Sequence, residues 1–186
     1  MRSISSIASR IAIIVASDGV TSLDIPTSVR PMLVTAGWRP GRQIDVDVRV
    51  PPLHPAHRIL KELGGLHVGR CGPGIECTTS DLKFGFCEPD EEIGPVWSEL
   101  LGSELVTIAE VHHQHGWLLV DAAARCFGAS QIHDAFYYEG PDFGVALERL
   151  LIGRRARPML RPDQDQVELY GETFSRGHAA IFAHQQ

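Results

Sequence analysis

Four short stretches fix where this chain must turn or stop a helix. They are Ala36-Gly37-Trp38-Arg39-Pro40-Gly41-Arg42, Leu63-Gly64-Gly65-Leu66, Thr107-Ile108-Ala109-Glu110 and Ala146-Leu147-Glu148-Arg149-Leu150-Leu151. Glycine in the first two supplies the left-handed backbone that a helix terminus needs. None of the four brings a nucleophile to a base, so they constrain a fold before they suggest a reaction.

Between these points the chain alternates short helical and strand patterns. After Pro26, Val29, Met32, Leu33 and Ala36 recur at helical steps, with Gly37 as the stop and Trp38 as a plug folding back on the helix. Pro31 requires that helix to kink or begin late. Ile44, Val46, Val48 and Val50 alternate with Asp45, Asp47 and Arg49 and predict a half-buried strand ended by Pro51-Pro52. Ala56, Ile59, Leu60 and Leu63 predict a helix, and Leu66-His67-Val68 starts a strand. Residues 69–80 read as a loop tipped by Gly72-Pro73-Gly74. Strands follow at Leu82–Phe86, Leu105–Val111, Trp117–Val120, Arg125–Phe127 and Ile132–Tyr138, with an acidic helix before the second, interrupted at Gly94-Pro95. Phe143, Ala146, Leu147, Leu150 and Leu151 mark a last helix stopped by Gly153. Successive strands joined by short turns predict a single α+β domain with a mainly antiparallel sheet and flanking helices. Residues 1–22 read as a lead-in, 23–153 as the domain, and the arginine- and proline-rich 154–186 as a polar tail without a fold of its own.

Charge is distributed unevenly. The net charge is −6, yet no lysine or arginine lies between Lys83 and Arg125, an interval holding eight acidic residues. The rest of the chain sums to +2. An acidic chain is a poor direct partner for nucleic acid, whose phosphates require a basic stripe. Its middle, chiefly Glu88, Asp90, Glu91, Glu92, Glu99 and Glu104, is instead suited to steering a cationic protein. The apolar run Ile11–Ala16 is far too short to span a bilayer, and the expected location is the cytoplasm. Cys71, Cys77, Cys87 and Cys126 include no C-x-x-C and read as free thiols, with a zinc or disulfide pair as the alternative.

His112-His113-Gln114-His115 is the sharpest enzyme-like feature. In an extended strand His113 and His115 share one face, which gives a metal two ligands where three or four must converge. Solvated histidines at a hairpin tip are the plainer reading; a small metal-dependent hydrolase built on His112, His113 and His115 is the rival function, and a non-toxin scaffold or binding domain of the same fold is a third. Nucleophile-elbow, P-loop, H-E-x-x-H and zinc-deaminase patterns are absent from the sequence.

In their order, the four stretches resemble the third branch of the SUKH superfamily of bacterial immunity proteins. The pattern AGW-x-x-GR is met by Ala36, Gly37, Trp38, Gly41 and Arg42, and GGL by Gly64, Gly65 and Leu66. A P-I-G-E-like strand is met by Ile108 and Glu110, with Thr107 and Ala109 in place of proline and glycine. The final A-L-x-x-L-L-x-G helix is met by Ala146, Leu147, Leu150, Leu151 and Gly153. A D-x-x-G-R turn is met by Asp121 and Arg125, with Ala124 where glycine is expected. The resemblance covers residues 24–153. It implies an α+β inhibitor, without catalytic residues or cofactor, that binds a cognate toxin domain, commonly a nuclease or nucleic-acid deaminase. Its signature residues Gly37, Trp38, Gly41, Arg42, Gly64, Gly65 and Glu110 are expected to hold the fold. Arg42 and Glu110 form either a partner-facing pair or a buried ion pair that sets register.

Overall fold

A computed structural model describes residues 22–88 and 93–184. Helices α1 (Arg30–Thr35) and α2 (Pro55–Leu63) precede strands β1 (His67–Gly72) and β2 (Thr79–Phe84). Helix α3 (Gly94–Leu101) leads to β3 (Leu105–Val111), β4 (Gly116–Asp121), β5 (Cys126–Ser130) and β6 (Phe136–Gly140). Helix α4 (Phe143–Ile152), β7 (Arg157–Met159) and the hairpin β8 (Gln166–Leu169) and β9 (Glu172–Ser175) follow. β1 to β7 form one antiparallel sheet in chain order, and β8 pairs only with β9. The α+β fold and its antiparallel sheet are as the strand spacing predicts.

Both faces of this sheet are covered, and alternation within the strands shows how. Leu118 and Val120 of β4 join a core with Val29, Leu33, Ile59, Leu63, Ala146 and Leu147, which places α1, α2 and α4 on one face. Leu119, between them, joins a second core with Trp97 of α3, Phe127, Phe136 and Met159 on the other. In β3 the parity changes within the strand: Val106 and Ile108 enter the first core, and so do Ala109 and Val111. A register shift between Thr107 and Ala109 supplies the extra residue that makes this geometry possible.

The helix stops follow the sequence closely. Pro31 lies in the first turn of α1, so the helix begins at Arg30 instead of kinking. Its end is a Schellman motif, with the Gly37 amide donating to Val34 O at 3.0 Å and the Trp38 amide to Leu33 O at 2.9 Å. Gly37 has φ +100° and Trp38 is buried, as its plug role requires. Gly153 ends α4 at φ +72°, and an added Cβ there would lie 2.4 Å from Cys77 O, so the β1–β2 loop is packed directly on the helix end.

Three expectations are corrected. Residues 44–50 form no strand. Alternation alone does not make one without a neighbour to complete the backbone hydrogen bonds; here the Ile44 amide bonds Lys61 O, Arg49 folds onto Asp47, and Val48 is 97% exposed. The tail, read as lacking a fold, adds β7 to the sheet beside β6 and packs Leu160, Val167 and Phe174 against Ala135. Phe182 stacks on Tyr138 with centroids 4.0 Å apart. The abundant arginines conceal this in the sequence, but Arg161 forms a two-point contact with Asp134 at 2.6 and 2.7 Å, and Arg157 bonds Ile181 O. The predicted loop 69–80 is also shorter than expected, since β1 continues to Gly72. The lead-in expected over 1–22 lies outside the described residues except for Ser22.

The Asp121–Arg125 turn generates a test. Asp121 is fully buried and accepts from the Ala123 and Arg125 amides and from Arg125 Nε at 2.7 Å. Ala124 closes the turn at φ +66°. A left-handed alanine costs roughly 1–2 kcal/mol, against roughly 0.5–1 kcal/mol for the extra flexibility of an unfolded glycine. Ala124→Gly is therefore expected to stabilise the protein by about 0.5–1 kcal/mol. The check is a higher urea midpoint at unchanged slope; a lower midpoint would show that the turn is unstrained.

Candidate functional site

Several signature residues make contacts within the fold. Arg42 donates to Glu62 O at 2.7 Å and Gly64 O at 2.9 Å, placing its cation on the carbonyls that end α2, the negative pole of the helix. An added Cβ on Gly64 would meet Ile44 Cδ1 and Leu60 O at 2.6 Å, and Gly41 and Gly65 have positive φ. Glu110 is not joined to Arg42 but to Lys83, its register partner on β2, at 3.3 Å. The alternatives of a partner-facing or buried Arg42–Glu110 pair both give way to these separate contacts. Glu62, which carried no signal in the sequence, is buried and accepts from Leu23 N at 2.9 Å, Ser22 Oγ at 3.1 Å and Trp38 Nε1 at 3.4 Å.

Two of the acidic residues, Glu88 and Glu104, adjoin a loop that exposes Val48 and Leu53. Glu99 and Glu104 are exposed, on α3 and in the turn after it. Glu88 is exposed and bonded by Arg49 Nη1 at 2.6 Å, while Asp90, Glu91 and Glu92 lie outside the described residues. Arg49 is held by Asp47 at 2.8 Å and lies 4.8 Å from the centroid of the Phe86 ring. Its chain neighbour Val48 is exposed, and Leu53 is fully so at 100%. Leu53 precedes His54, whose Nε2 lies 3.3 Å from Glu104 O. The loop with Val48 and Leu53 is thus tied at one side to Glu88 and at the other to Glu104.

The histidines separate. His112, His113 and Gln114 all have positive φ (53°, 53° and 69°), so the tip is a tight left-handed turn and not an extended strand. His112 and His115 line a cleft on one side of the sheet, while His113 faces Asp81 on the other side of the turn. The proposed same-face pair of His113 and His115 does not form. The rival built on His112, His113 and His115 loses its common centre. Asp81 is buried and accepts from the His113 amide at 2.8 Å, His67 Nε2 at 2.8 Å and Cys71 Sγ at 3.2 Å. Burial alone would raise its carboxyl, but these donors outweigh it and hold the group down at about 2.

The cleft holds about 490 Å³, with His112, His115, Tyr137, Glu139, Arg149 and Tyr170 among its lining. Glu139 is 2% exposed, and its Oε2 finds no hydrogen-bond partner among the described residues; nor does Arg149 Nε. Arg149 Nη1 is held by Arg155 O. Burial pushes the Glu139 carboxyl up to about 8, against the opposing pull of the Arg149 charge.

The model of one protein family, described as the SUKH-3 immunity protein, matches residues 25–153. The chain belongs to the SUKH-3 immunity protein family. Neither a curated protein nor a solved structure matches it. The SUKH-3 match begins one residue after the start of the resemblance drawn from the motifs and ends at the same glycine. It stops short of Arg154, Arg155, Leu169, Tyr170 and Gly171, which form one wall of the cleft. In this SUKH-3 protein the cleft is therefore assembled partly from chain beyond the family match. Among the described residues no helix is long and apolar enough to cross a membrane.

The buried carboxyl makes stability pH-dependent in a definite direction. The folded state keeps a proton that the unfolded chain releases near 4.5, so stability is fullest below that value and falls as pH rises toward about 8. The slope approaches roughly 1.4 kcal/mol per pH unit. Glu139→Gln is expected to remove this fall, read as urea midpoints of both proteins between about pH 5 and pH 8. Parallel curves for the two proteins would show that the carboxyl is solvated.

Proposed function

We propose that the protein neutralises a cognate bacterial toxin domain by binding it one to one. On this reading it acts in the cytoplasm as an inhibitor and not a catalyst, with no cofactor. Membership of the SUKH-3 immunity family supports the immunity role. The observation that supports a location is the exposed pair Val48 and Leu53, tied through Arg49–Glu88 and His54–Glu104 to the acidic segment. An apolar centre with a charged rim is how protein interfaces divide affinity from steering.

The partner's chemistry follows from the charge. A toxin that cuts or deaminates nucleic acid must attract phosphate and so presents a basic surface. Glu88, Asp90, Glu91, Glu92, Glu99 and Glu104 offer that surface a negative substitute. Arg49 already offsets Glu88, which leaves the other five to carry most of the attraction. Direct contact with nucleic acid or membrane has no place in this reading.

The test is co-expression with the product of a neighbouring large reading frame, expected on this reading to be toxic. Rescue of growth and a co-purifying complex are expected. Association should slow as salt is added, and neutralising the six acidic residues should slow it roughly 10-fold or more at low salt. Leu53→Asp should act instead on dissociation. Toxicity without rescue or complex would break the pairing; an unaltered association rate in the neutralised variant would remove this surface from the interface.

A further inference from the structure

We propose that Cys71, Asp81 and His113 form a binding site for a zinc-class divalent cation, with His67 orienting the carboxylate. The site is independent of the toxin-binding surface. Its ligands come from three elements: Cys71 from β1, Asp81 from β2 and His113 from the β3–β4 turn. Cys71 Sγ, an Asp81 carboxylate oxygen and a His113 ring nitrogen all lie within 4.8 Å of one another.

The two distances to the shared Asp81 oxygen suit a tetrahedral ion, and the thiol and imidazole lie within 4.8 Å of each other. With bonds of about 2.0 to 2.3 Å, neighbouring ligand atoms around zinc stand roughly 3.3–3.8 Å apart. Cys71 Sγ lies 3.2 Å from Asp81 Oδ1, and His113 Nδ1 lies 3.7 Å from the same oxygen. Asp81 Oδ2, the other oxygen, is bonded by His67 Nε2 at 2.8 Å. That contact is of the kind that fixes a ligating carboxylate and tunes its affinity. The fourth position is left to solvent, since the shallow depression over Asp81 also holds exposed His113 and Gln114.

Chemistry selects the class of ion. One sulfur, one nitrogen and one oxygen donor suit zinc, cobalt or nickel, and disfavour calcium and magnesium, which take oxygen ligands. On binding, the Sγ–H bond of Cys71 breaks, its proton goes to solvent, and the sulfur lone pair forms the metal bond. Thiolate and carboxylate then balance the two positive charges of the ion, and the His113 ring contributes as a neutral donor.

Two features of the scaffold hold the donors ready. Asp81 sits in the sheet, with its side chain 9% exposed. His113 is in the left-handed turn, where its amide is pinned to Asp81 Oδ1 at 2.8 Å and the His112 amide to Asp81 O at 3.2 Å. Three successive non-glycine residues at positive φ are costly, and the turn they make carries the His113 ring to the carboxylate.

The experiment is titration of chelator-treated protein with Zn²⁺, and with Co²⁺ as a spectroscopic probe. Expected are one ion per chain at micromolar affinity or tighter, a higher melting temperature, and a thiolate-to-cobalt charge-transfer band. Cys71→Ser should abolish that band, and Cys71→Ser and His113→Gln should each weaken Zn²⁺ binding by at least ~10-fold; His67→Ala should weaken it about 10-fold. Cys77→Ser and His115→Gln, in the cleft on the other side of the turn, should bind as the parent does. Metal-free melting temperatures identify any variant that has lost its fold, and Cys71→Ala then serves in place of Cys71→Ser. Absence of saturable binding, or unchanged binding in both folded ligand variants, would overturn the site.

Discussion

The rest of the structure depends on a sheet that is apolar on both faces. β3, β4 and β5 sit in its middle, and almost every residue in them is buried. Such strands cannot stop at one layer of helices. α1, α2 and α4 cover one face, and α3 with Trp97 stacked on Phe136 covers the other. The ring centroids of that pair are 4.2 Å apart, close enough for stacking to add to burial. The bulge in β3 belongs to the same requirement, because without it Ala109 and Val111 would face away from the core they complete.

This arrangement separates scaffold from surface. Several of the motif residues lie where backbone groups would otherwise be left without partners. Arg42 serves the end of α2, Gly37 the end of α1, and Asp121 the turn between β4 and β5. The acidic residues Glu99 and Glu104 are exposed and make no comparable demand on the fold. Surface charge at such positions can change without loss of the turns beneath it.

Legibility in the sequence followed the range of the interaction. Gly37, Gly153, Pro31 and the β3–β4 hairpin were readable because their causes lie within a few residues. The run Ile44–Val50 has equally good alternation and still makes no strand, since pairing is decided by what lies alongside. Glu62, Asp81 and Glu139 gave no local signal at all. Their roles come from neighbours 39, 32 and 10 positions away, namely Leu23, His113 and Arg149. The histidines were visible as a cluster, but three left-handed residues turn them to different sides, and no spacing rule reveals that.

β7 gives the family boundary a physical meaning. The match ends at Gly153, yet the backbone of β6 is satisfied on one side only by Arg157–Met159. A chain cut at that boundary would leave β6 as an open row of amides and carbonyls, beside aromatic surface at Tyr138 that Phe182 now covers. Open strands of this kind recruit other strands, including those of identical molecules. Arg157–Met159 and Phe182 thus close an edge and cover an aromatic patch that the family match alone would leave open.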